Sequence, residues 1–246
     1  MRRLVLPAIA TLVGVAILVS LGIWQIERLH WKEALIARVE AGLGAIPVPA
    51  PGPGEWATLD LAGAEYRRVT VSGRYRNADE IDVVYALTEP KGPAGGFGYL
   101  VMTPFEADEG LSVYVNRGFV PRERQDPATR AAGIIEGPTT VTGLLRKPAV
   151  RSWFSPADDP ARNEWLSRDP AAYAAAEGLP TAAVAPYIID ARFDPALPGG
   201  LPQGGETIVA FSNNHLQYVV TWFGLAAALV GVFVAFAAAR LRASRR

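Results

Sequence analysis

Two long apolar segments lie near the ends of the chain, and shorter stretches of alternating apolar and polar residues fill the region between them. The first apolar segment runs from Leu4 to about Gln25, and the second runs from Tyr218 to Ala239, 22 residues without a charge. At a rise of about 1.5 Å per residue, each is long enough to cross the roughly 30 Å hydrocarbon layer of a bilayer. The pattern therefore predicts transmembrane helices at 1–25 and 215–239.

The first apolar segment has an alternative interpretation as a cleaved signal peptide, because Arg2 and Arg3 precede it. Its apolar run is longer than the roughly 7–15 residues of a signal-peptide core, and no small-residue cleavage motif follows Leu21. Trp24 falls where a membrane helix would reach the lipid–water interface, a position that suits its amphipathic ring. We therefore expect this helix to be retained in the membrane.

Helical periodicity continues beyond the first membrane segment. Apolar residues recur at steps of three, four and seven between Ile26 and Leu43, with charged residues among them. This spacing predicts an amphipathic helical extension over residues 26–44. Four prolines then follow at every second position, which predicts an extended spacer over residues 45–54.

Small residues recur at helical spacing in both apolar segments, including Gly14 and Gly22 in the first and Gly224, Ala228 and Gly231 in the second. Small side chains allow two helix backbones to approach closely in a membrane. Direct packing of the two helices is therefore expected, although an alanine-rich composition alone would give a similar pattern.

Residues 55–214 have the pattern of a β-rich domain. Short segments with alternating apolar residues are separated by turns rich in Gly, Pro, Asp and Glu, and one helix begins at Asp169-Pro170 and ends at Gly178. The expected fold class is an α+β membrane protein in which two transmembrane helices flank a mostly antiparallel β domain, a small barrel or a sandwich, with one short helix. Strands are predicted at Tyr66–Tyr75, Ile81–Leu87, Phe97–Phe105, Leu111–Phe119, Thr139–Leu145, Val184–Asp190 and Glu206–Phe211.

The distribution of charge gives the two helices an orientation. Arg2, Arg3 and the four arginines of the basic tail at 240–246 are six of the 24 basic residues, whereas all 24 acidic residues lie between the two ends. Because basic flanks stay on the cytoplasmic side, both termini are expected in the cytoplasm and residues 55–214 outside it. In a bacterium this describes a two-pass protein of the inner membrane, in contact with lipid, with a periplasmic domain.

Composition and motifs exclude several classes of function. The 18 basic residues that remain face 24 acidic ones, which argues against a nucleic-acid partner. The chain has no cysteine, so disulfides, zinc thiolates and iron–sulfur clusters are excluded for the chain alone. The P-loop, G-x-G-x-x-G, G-x-S-x-G and H-E-x-x-H motifs are absent, so we do not predict an enzyme. Asp158 and Asp159, adjacent on a loop, are the sole support for a membrane-bound hydrolase.

The segment VNRGFVPRE, residues 115–123, is predicted to be a polar turn that follows a buried strand. Its Arg117 is expected to pair with a carboxylate. Together with Arg122 and Arg124, it would hold an anion or an acidic partner, or else these arginines pair with Glu123 and Asp126 nearby.

His215 lies at the N-terminus of the second apolar helix; His30, the other histidine, follows the first apolar segment. At this end of a helix the dipole opposes protonation, which keeps the imidazole neutral with a free lone pair. Tyr218 and Trp222 follow at helical spacing and offer flat apolar surfaces on the same face. This combination suits an axial ligand of haem iron, with a structural cap or interface role as the alternative.

Four short motifs occur in order along the chain. They are Leu21-Gly22 with Trp24-Gln25, Arg28 and Trp31-Lys32; Tyr66-Arg67-Arg68-Val69 with Gly73; Val115-Asn116-Arg117-Gly118-Phe119-Val120-Pro121; and Asn214-His215-Leu216-Gln217-Tyr218 with Thr221-Trp222. In this order, and with an apolar helix at each end, they resemble the Surfeit locus protein 1 family, assembly factors for cytochrome c oxidase. The similarity spans nearly the whole chain.

The resemblance implies a function in building the haem-containing subunit I of the oxidase, by binding haem a or helping to insert it, with subunit I and possibly haem a synthase as partners. His215 occupies the place of the histidine that bacterial members use for haem binding, whereas His30 has no such counterpart. No catalytic residue is implied. The alternative is a scaffold that holds subunit I or haem a synthase without taking cofactor. The haem site is expected to comprise His215 as the axial ligand with Tyr218, Trp222, Trp24, Arg28 and Lys32. Arg28 and Lys32, four residues apart on one helix face, would bind the propionates, or else contact lipid headgroups or solvent.

Overall fold

The computed structural model describes residues 2–108, 110, 112–151, 153, 156–207 and 214–243. It divides into two compact units, a terminal unit of residues 1–38 and 209–246 and a barrel unit of residues 39–208. In chain order the elements are α1 (Arg2–Gly44), β1 (Val48–Pro49), α2 (Leu61–Ala64), β2 (Arg68–Tyr75), β3 (Ile81–Leu87), β4 (Gly96–Ala107), β5 (Ser112–Pro121), β6 (Thr139–Arg146), β7 (Glu164–Trp165), α3 (Pro170–Ala176), β8 (Val184–Ala191) and α4 (His215–Ala243).

The helices α1 and α4 are each long and apolar enough to cross a bilayer. The helix α1 continues without a break through the predicted membrane segment and the predicted extension, over 43 residues. Two apolar helices therefore flank a β-rich domain, as the sequence predicts.

Within the terminal unit, α1 and α4 pack directly against each other. The less exposed residues recur at alternating steps of three and four, as they do where two helices pack along a seam. A Cβ atom on Gly14 would lie 2.9 Å from the side chain of Leu229, and one on Gly22 would lie 2.8 Å from the ring of Phe223. The two glycines of α1 are therefore needed at this seam, and the predicted packing of the helices is confirmed.

The predicted small residues of α4 are placed differently. Gly224, Ala228 and Gly231 are exposed, and no atom lies within 4 Å of a Cβ built on either glycine. The surface that meets α1 carries larger residues such as Phe223 and Leu229 together with the buried Ala226, so the expectation was wrong for Gly224, Ala228 and Gly231. Gly14 and Gly22 of α1 provide room for the side chains of Leu229 and Phe223.

The barrel unit is a closed sheet. The strands β2, β6, β8, β5 and β4 are neighbours in that order, and the end of β2 pairs with the end of β4 to close a five-stranded barrel. Closure brings two backbones together at Gly73, where a Cβ atom would collide with the backbone of Glu106 and Ala107. The strands β3 and β7 extend the sheet beyond β4, and β1 pairs beside β2. Of the two predicted forms, barrel and sandwich, the barrel is found.

Successive side chains of the strands point to opposite faces of this sheet, and both faces are packed with apolar residues. Val113 and Val115 of β5 point to the interior cluster, whereas Tyr114 between them belongs to a second cluster on the outer face. The helix α3 covers that outer face through Tyr173, which packs edge-to-face against Tyr114 at 5.0 Å between ring centroids. Each barrel strand is therefore buried on both sides over part of its length.

The predicted strands between Tyr66 and Asp190 are confirmed with small shifts at their ends, and so is the helix α3, with Asp169 as its N-cap. The strand β2 begins two residues later than predicted, because Tyr66 has a positive φ of 67°. Most of the predicted strand Glu206–Phe211 lies outside the described residues. Mostly antiparallel pairing is also confirmed, although β1–β2, β3–β7 and β5–β8 are parallel.

A buried polar cluster lies at the start of β3. The Asp82 Oδ2 atom accepts hydrogen bonds from Gln125 (3.1 Å) and Asn163 (3.4 Å), whereas Oδ1 is buried and has no partner in the described part of the chain. Nearby, Glu80 and Arg130 form an ion pair that is almost completely buried. Burial raises the pKa of Asp82 to about 7; the hydrogen bond from Gln125 and the charge of Arg130 oppose this shift, and the charge of Glu80 adds to it.

Candidate functional site at the head of the helix pair

The candidate site is built around a hydrogen bond between the two apolar helices. His215 is the first residue of α4 and is half-buried, and Gln25 lies in α1 with 8% of its surface exposed. The His215 Nδ1 atom lies 2.8 Å from Gln25 Oε1. This contact joins the two elements that the sequence identifies as membrane helices, so the predicted histidine lies at their interface.

The amide of Gln25 determines which nitrogen of His215 is available. An amide oxygen accepts hydrogen bonds, so Nδ1–H of His215 donates to Gln25 Oε1. The lone pair of a neutral imidazole then lies on Nε2. A histidine that donates through one ring nitrogen to a fixed acceptor has the orientation and tautomer in which metal-ligating histidines are held.

Sequence reasoning missed Gln25 as a site residue, although the residue belongs to one of the matching motifs. The available signal was its position: Gln25 ends an otherwise apolar run that begins at Leu4. A polar side chain on a membrane helix normally faces a polar partner. Its partner was not predictable from spacing, because it lies 190 residues away along the chain.

The two aromatic residues predicted beside His215 lie in different environments. Trp222 lies two helical turns along the packed face of α4, and its Nε1 is buried with no hydrogen-bond partner among the described residues. Tyr218 has 51% of its surface exposed. The predicted shared face is therefore a packed stripe with His215 and Trp222, with Tyr218 at its exposed side.

Two of the three predicted residues of α1, Trp24 and Arg28, form an exposed ridge beside Gln25. Trp24 is 51% exposed, and the guanidinium of Arg28 is stacked over the ring of Trp31 at 4.6 Å from its centroid. Lys32 is half-buried and follows Gln25 by two helical turns. Arg28 is thus held on the ridge by Trp31, whereas Lys32 lies on the stripe that carries Gln25.

Arg117 lies in a different environment from the one predicted. It belongs to β5, at a bulge where β4 has no residue opposite it, and it is buried. Its guanidinium donates to Asn77 Oδ1 (3.2 Å) and to the carbonyl oxygen of Gly133 (2.5 Å), and it stacks over the ring of Tyr75 at 4.8 Å. Of the described residues, no carboxylate pairs with it, so the predicted turn and the predicted partner carboxylate were both wrong.

The bulge explains why a polar segment lies inside a strand. Asn116 donates to Asp190 Oδ1 at 2.8 Å and accepts from the backbone N–H of Gly118, so its amide is satisfied within the sheet. Gly118 has a φ of 130°, and a Cβ atom there would collide with the backbone of Gln203. The polar side chains of this segment have hydrogen-bond partners within the sheet, so the segment forms a strand with a bulge and not the predicted turn.

The paired carboxylates stabilise local turns. Asp158 accepts hydrogen bonds from the backbone N–H groups of Leu166 (2.7 Å) and Ser167 (3.2 Å). Asp159 pairs with Arg162 at 2.8 Å. Because both carboxylates have structural partners, this pair lends no support to the hydrolase hypothesis.

Two apolar helices that meet at a histidine–glutamine hydrogen bond and flank a closed β barrel define the class of this protein, and this architecture is consistent with a two-pass membrane protein. The chain belongs to the SURF1 family, whose sequence profile matches residues 12–227. Surfeit locus protein 1 of Homo sapiens is 41% identical over 220 residues, covering 85% of this chain and 70% of the human protein. The mouse protein is 38% identical with 85% and 68% covered, and the SURF1-like protein of Drosophila melanogaster is 38% identical with 85% and 70% covered.

Proposed function

We propose that this chain is an assembly factor for cytochrome c oxidase that binds haem a as cargo and assists its insertion into subunit I. Family membership supports the function in assembly, and the hydrogen bond between His215 and Gln25 is the observation that supports haem binding. In this proposal the protein has no catalytic residue and does not alter the cofactor.

The residues at the head of the helix pair fit this cargo. Nε2 of His215 is the donor for the iron, because Nδ1 is engaged with Gln25. Trp222 and the exposed rings of Tyr218 and Trp24 supply apolar surface for a porphyrin and its hydrophobic tail. Arg28 supplies charge-assisted hydrogen bonds to propionate groups. Lys32 has the same function in this proposal.

An optical spectrum of the purified protein tests the proposal. The full chain is expressed in cells that make haem a and is purified in a mild detergent. We expect haem a to co-purify with the protein. Its absorption spectrum should be of the low-spin or mixed-spin type that indicates histidine ligation. The same chain from cells that lack haem a synthase is the control, and its preparation should contain no haem a.

A cofactor-free scaffold for subunit I or haem a synthase is the second candidate. Its support is the exposed face of α4, where Gly224, Ala228 and Gly231 are not used to pack against α1. Small residues on an exposed membrane-helix face provide a close-packing surface for another membrane helix. A colourless preparation that still co-purifies subunit I would favour this candidate over haem binding.

Membrane orientation follows from the distribution of charge, and we propose the two-pass arrangement with both termini in the cytoplasm and a periplasmic barrel. In a bacterial host, alkaline phosphatase fused within the loop at Gly54 or Gly200 should be active, because that enzyme folds only outside the cytoplasm. Fusions after Arg246 should be active only with a cytoplasmic reporter. A cytoplasmic signal from the two loop positions would exclude this orientation.

A further inference from the structure

The barrel unit contains a cleft of about 280 Å³ beside Arg117, which we call the Arg117 cleft. Polar and apolar residues both line it. The polar lining includes Arg117, Arg192, Asp194, Thr139 and Thr142, and the apolar lining includes Phe193 and Leu197. Two arginines therefore face one carboxylate, and Asp194 already accepts a hydrogen bond from the backbone N–H of Ala196.

Arg117 is a buried cation that forms no ion pair with a carboxylate in the part of the chain that the structure describes. Its two hydrogen bonds, to Asn77 and to the carbonyl oxygen of Gly133, are to neutral groups. Glu80, whose charge acts on Arg117, is paired with Arg130. Burying a guanidinium without a carboxylate is unfavourable unless another anion approaches it, and burial lowers the pKa of Arg117 for the same reason.

The rest of the cleft adds a second cation and an apolar surface. Arg192 is exposed at the rim, and no ion pair of its side chain is found among the described residues. Two hydrogen bonds leave most of the N–H donors of Arg117 unused. Phe193, half exposed, and Leu197 provide an apolar surface in the same cleft.

We propose that the Arg117 cleft binds a carboxylic acid with a small apolar body, its carboxylate paired with Arg117 and Arg192 and its apolar part against Phe193 and Leu197. Arginine suits this ligand because its planar guanidinium donates two parallel hydrogen bonds to a carboxylate. The carboxylate has two possible sources, a free organic acid or an acidic residue of a bound protein segment. Both present the same group to Arg117.

Line broadening in ¹⁹F NMR spectra tests the proposal with the full chain in lipid nanodiscs. The probe is 4-fluorobenzoate, and its neutral counterpart is 4-fluorobenzyl alcohol. Empty nanodiscs correct for partition into lipid. We expect the ¹⁹F signal of the acid to broaden when the protein is present, whereas the ¹⁹F signal of the alcohol should remain sharp. A short peptide with a Phe-Asp sequence, added as a competitor, distinguishes the sources: displacement of the acid at equal or lower concentration identifies a protein segment, and failure to displace it identifies a free acid.

Matched arginine variants locate the site. Arg192→Gln alters an exposed residue and should fold normally, and its affinity for the acid should fall about tenfold because one charge-assisted contact is lost. Arg117→Lys keeps the charge but loses the planar fork, and should weaken binding by a similar factor. Arg122→Gln, exposed and outside the cleft, should bind as the native chain does. Equal broadening of acid and alcohol, or native affinity in both cleft variants, would overturn the proposal.

Discussion

Above about pH 7 the Asp82→Asn variant is expected to be more stable than the native chain, and this advantage should disappear by about pH 4. In the unfolded chain Asp82 ionises near its ordinary pKa of 3.8, whereas in the folded barrel it stays protonated up to about pH 7. The folded state therefore binds more protons between these values, and its free energy of unfolding falls as the pH rises through that interval.

The size of this effect follows from the shift in pKa. Each unit is worth about 1.4 kcal/mol, so the rise from 3.8 to about 7 limits the destabilisation above pH 7 to about 4 kcal/mol. The cause is the position of Asp82, where one carboxylate oxygen has no hydrogen-bond partner among the described residues and Glu80 adds a second acidic group. An asparagine amide fills the same space without a charge.

Thermal unfolding of the full chain in detergent at several pH values measures the difference. The Asp126→Asn variant is the control: Asp126 is exposed and caps a turn through the N–H of Ala128, and asparagine is an equally good cap. The melting temperature of this control should follow that of the native chain at every pH. A stability difference for Asp82→Asn that is constant with pH, or that grows as the pH falls, would show that Asp82 is not the titrating group.

Local patterns in the sequence predict most of the elements. The alternation at Ile81–Leu87 and the sequence Asp169-Pro170 followed by Gly178 give the strand β3 and the helix α3, because side-chain period and cap chemistry are local properties. The length and apolar character of α1 and α4 are equally local.

Contacts between distant residues are not visible in these patterns. The closure of the barrel depends on β2 meeting β4, and the cluster around Asp82 joins residues from three separate segments. Arg117 shows the consequence: its polar neighbours predict a turn, but hydrogen bonds to Asn77 and Gly133 allow the segment to lie within β5. Whether such a polar segment forms a turn or a strand depends on its burial and on its hydrogen-bond partners. Neither can be derived from the spacing of residues in the sequence.

The candidate site depends on one feature that is local in the sequence and on one contact between distant residues. The position of His215 at the start of a helix is local and was predicted, but the acceptor that fixes its ring comes from the other end of the chain. Gln25 therefore changes the proposal from a histidine near the membrane surface to a histidine with a defined tautomer. It also makes the proposed ligand assignment testable through a residue that is not itself a proposed ligand.

The His215→Ala variant should retain a reduced amount of haem a with an altered spectrum, and it should accumulate in the membrane at the native level. In the proposed site, removal of the imidazole takes away the axial donor, whereas the apolar surface of Trp222 and Tyr218 should continue to bind the porphyrin weakly. The oxidase in these cells should contain less haem in subunit I while its other subunits still accumulate. The His30→Ala variant is the control, since His30 is exposed, and its haem content should equal that of the native chain.

The Gln25→Leu variant separates ligation from packing. Leucine is apolar and close in size to glutamine, so the helix pair should remain intact, but Nδ1 of His215 loses its acceptor. Loss of the acceptor that orients a metal-ligating histidine typically weakens binding by about 10–100-fold, so haem affinity should fall by that factor while the iron remains histidine-ligated. Titration of the purified apo-protein with haem and its absorption spectrum give both quantities. Native affinity and spectra in both the His215→Ala and Gln25→Leu variants would falsify the ligand assignment and favour the cofactor-free scaffold, because a hydrogen bond that only joins two helices has no effect on haem.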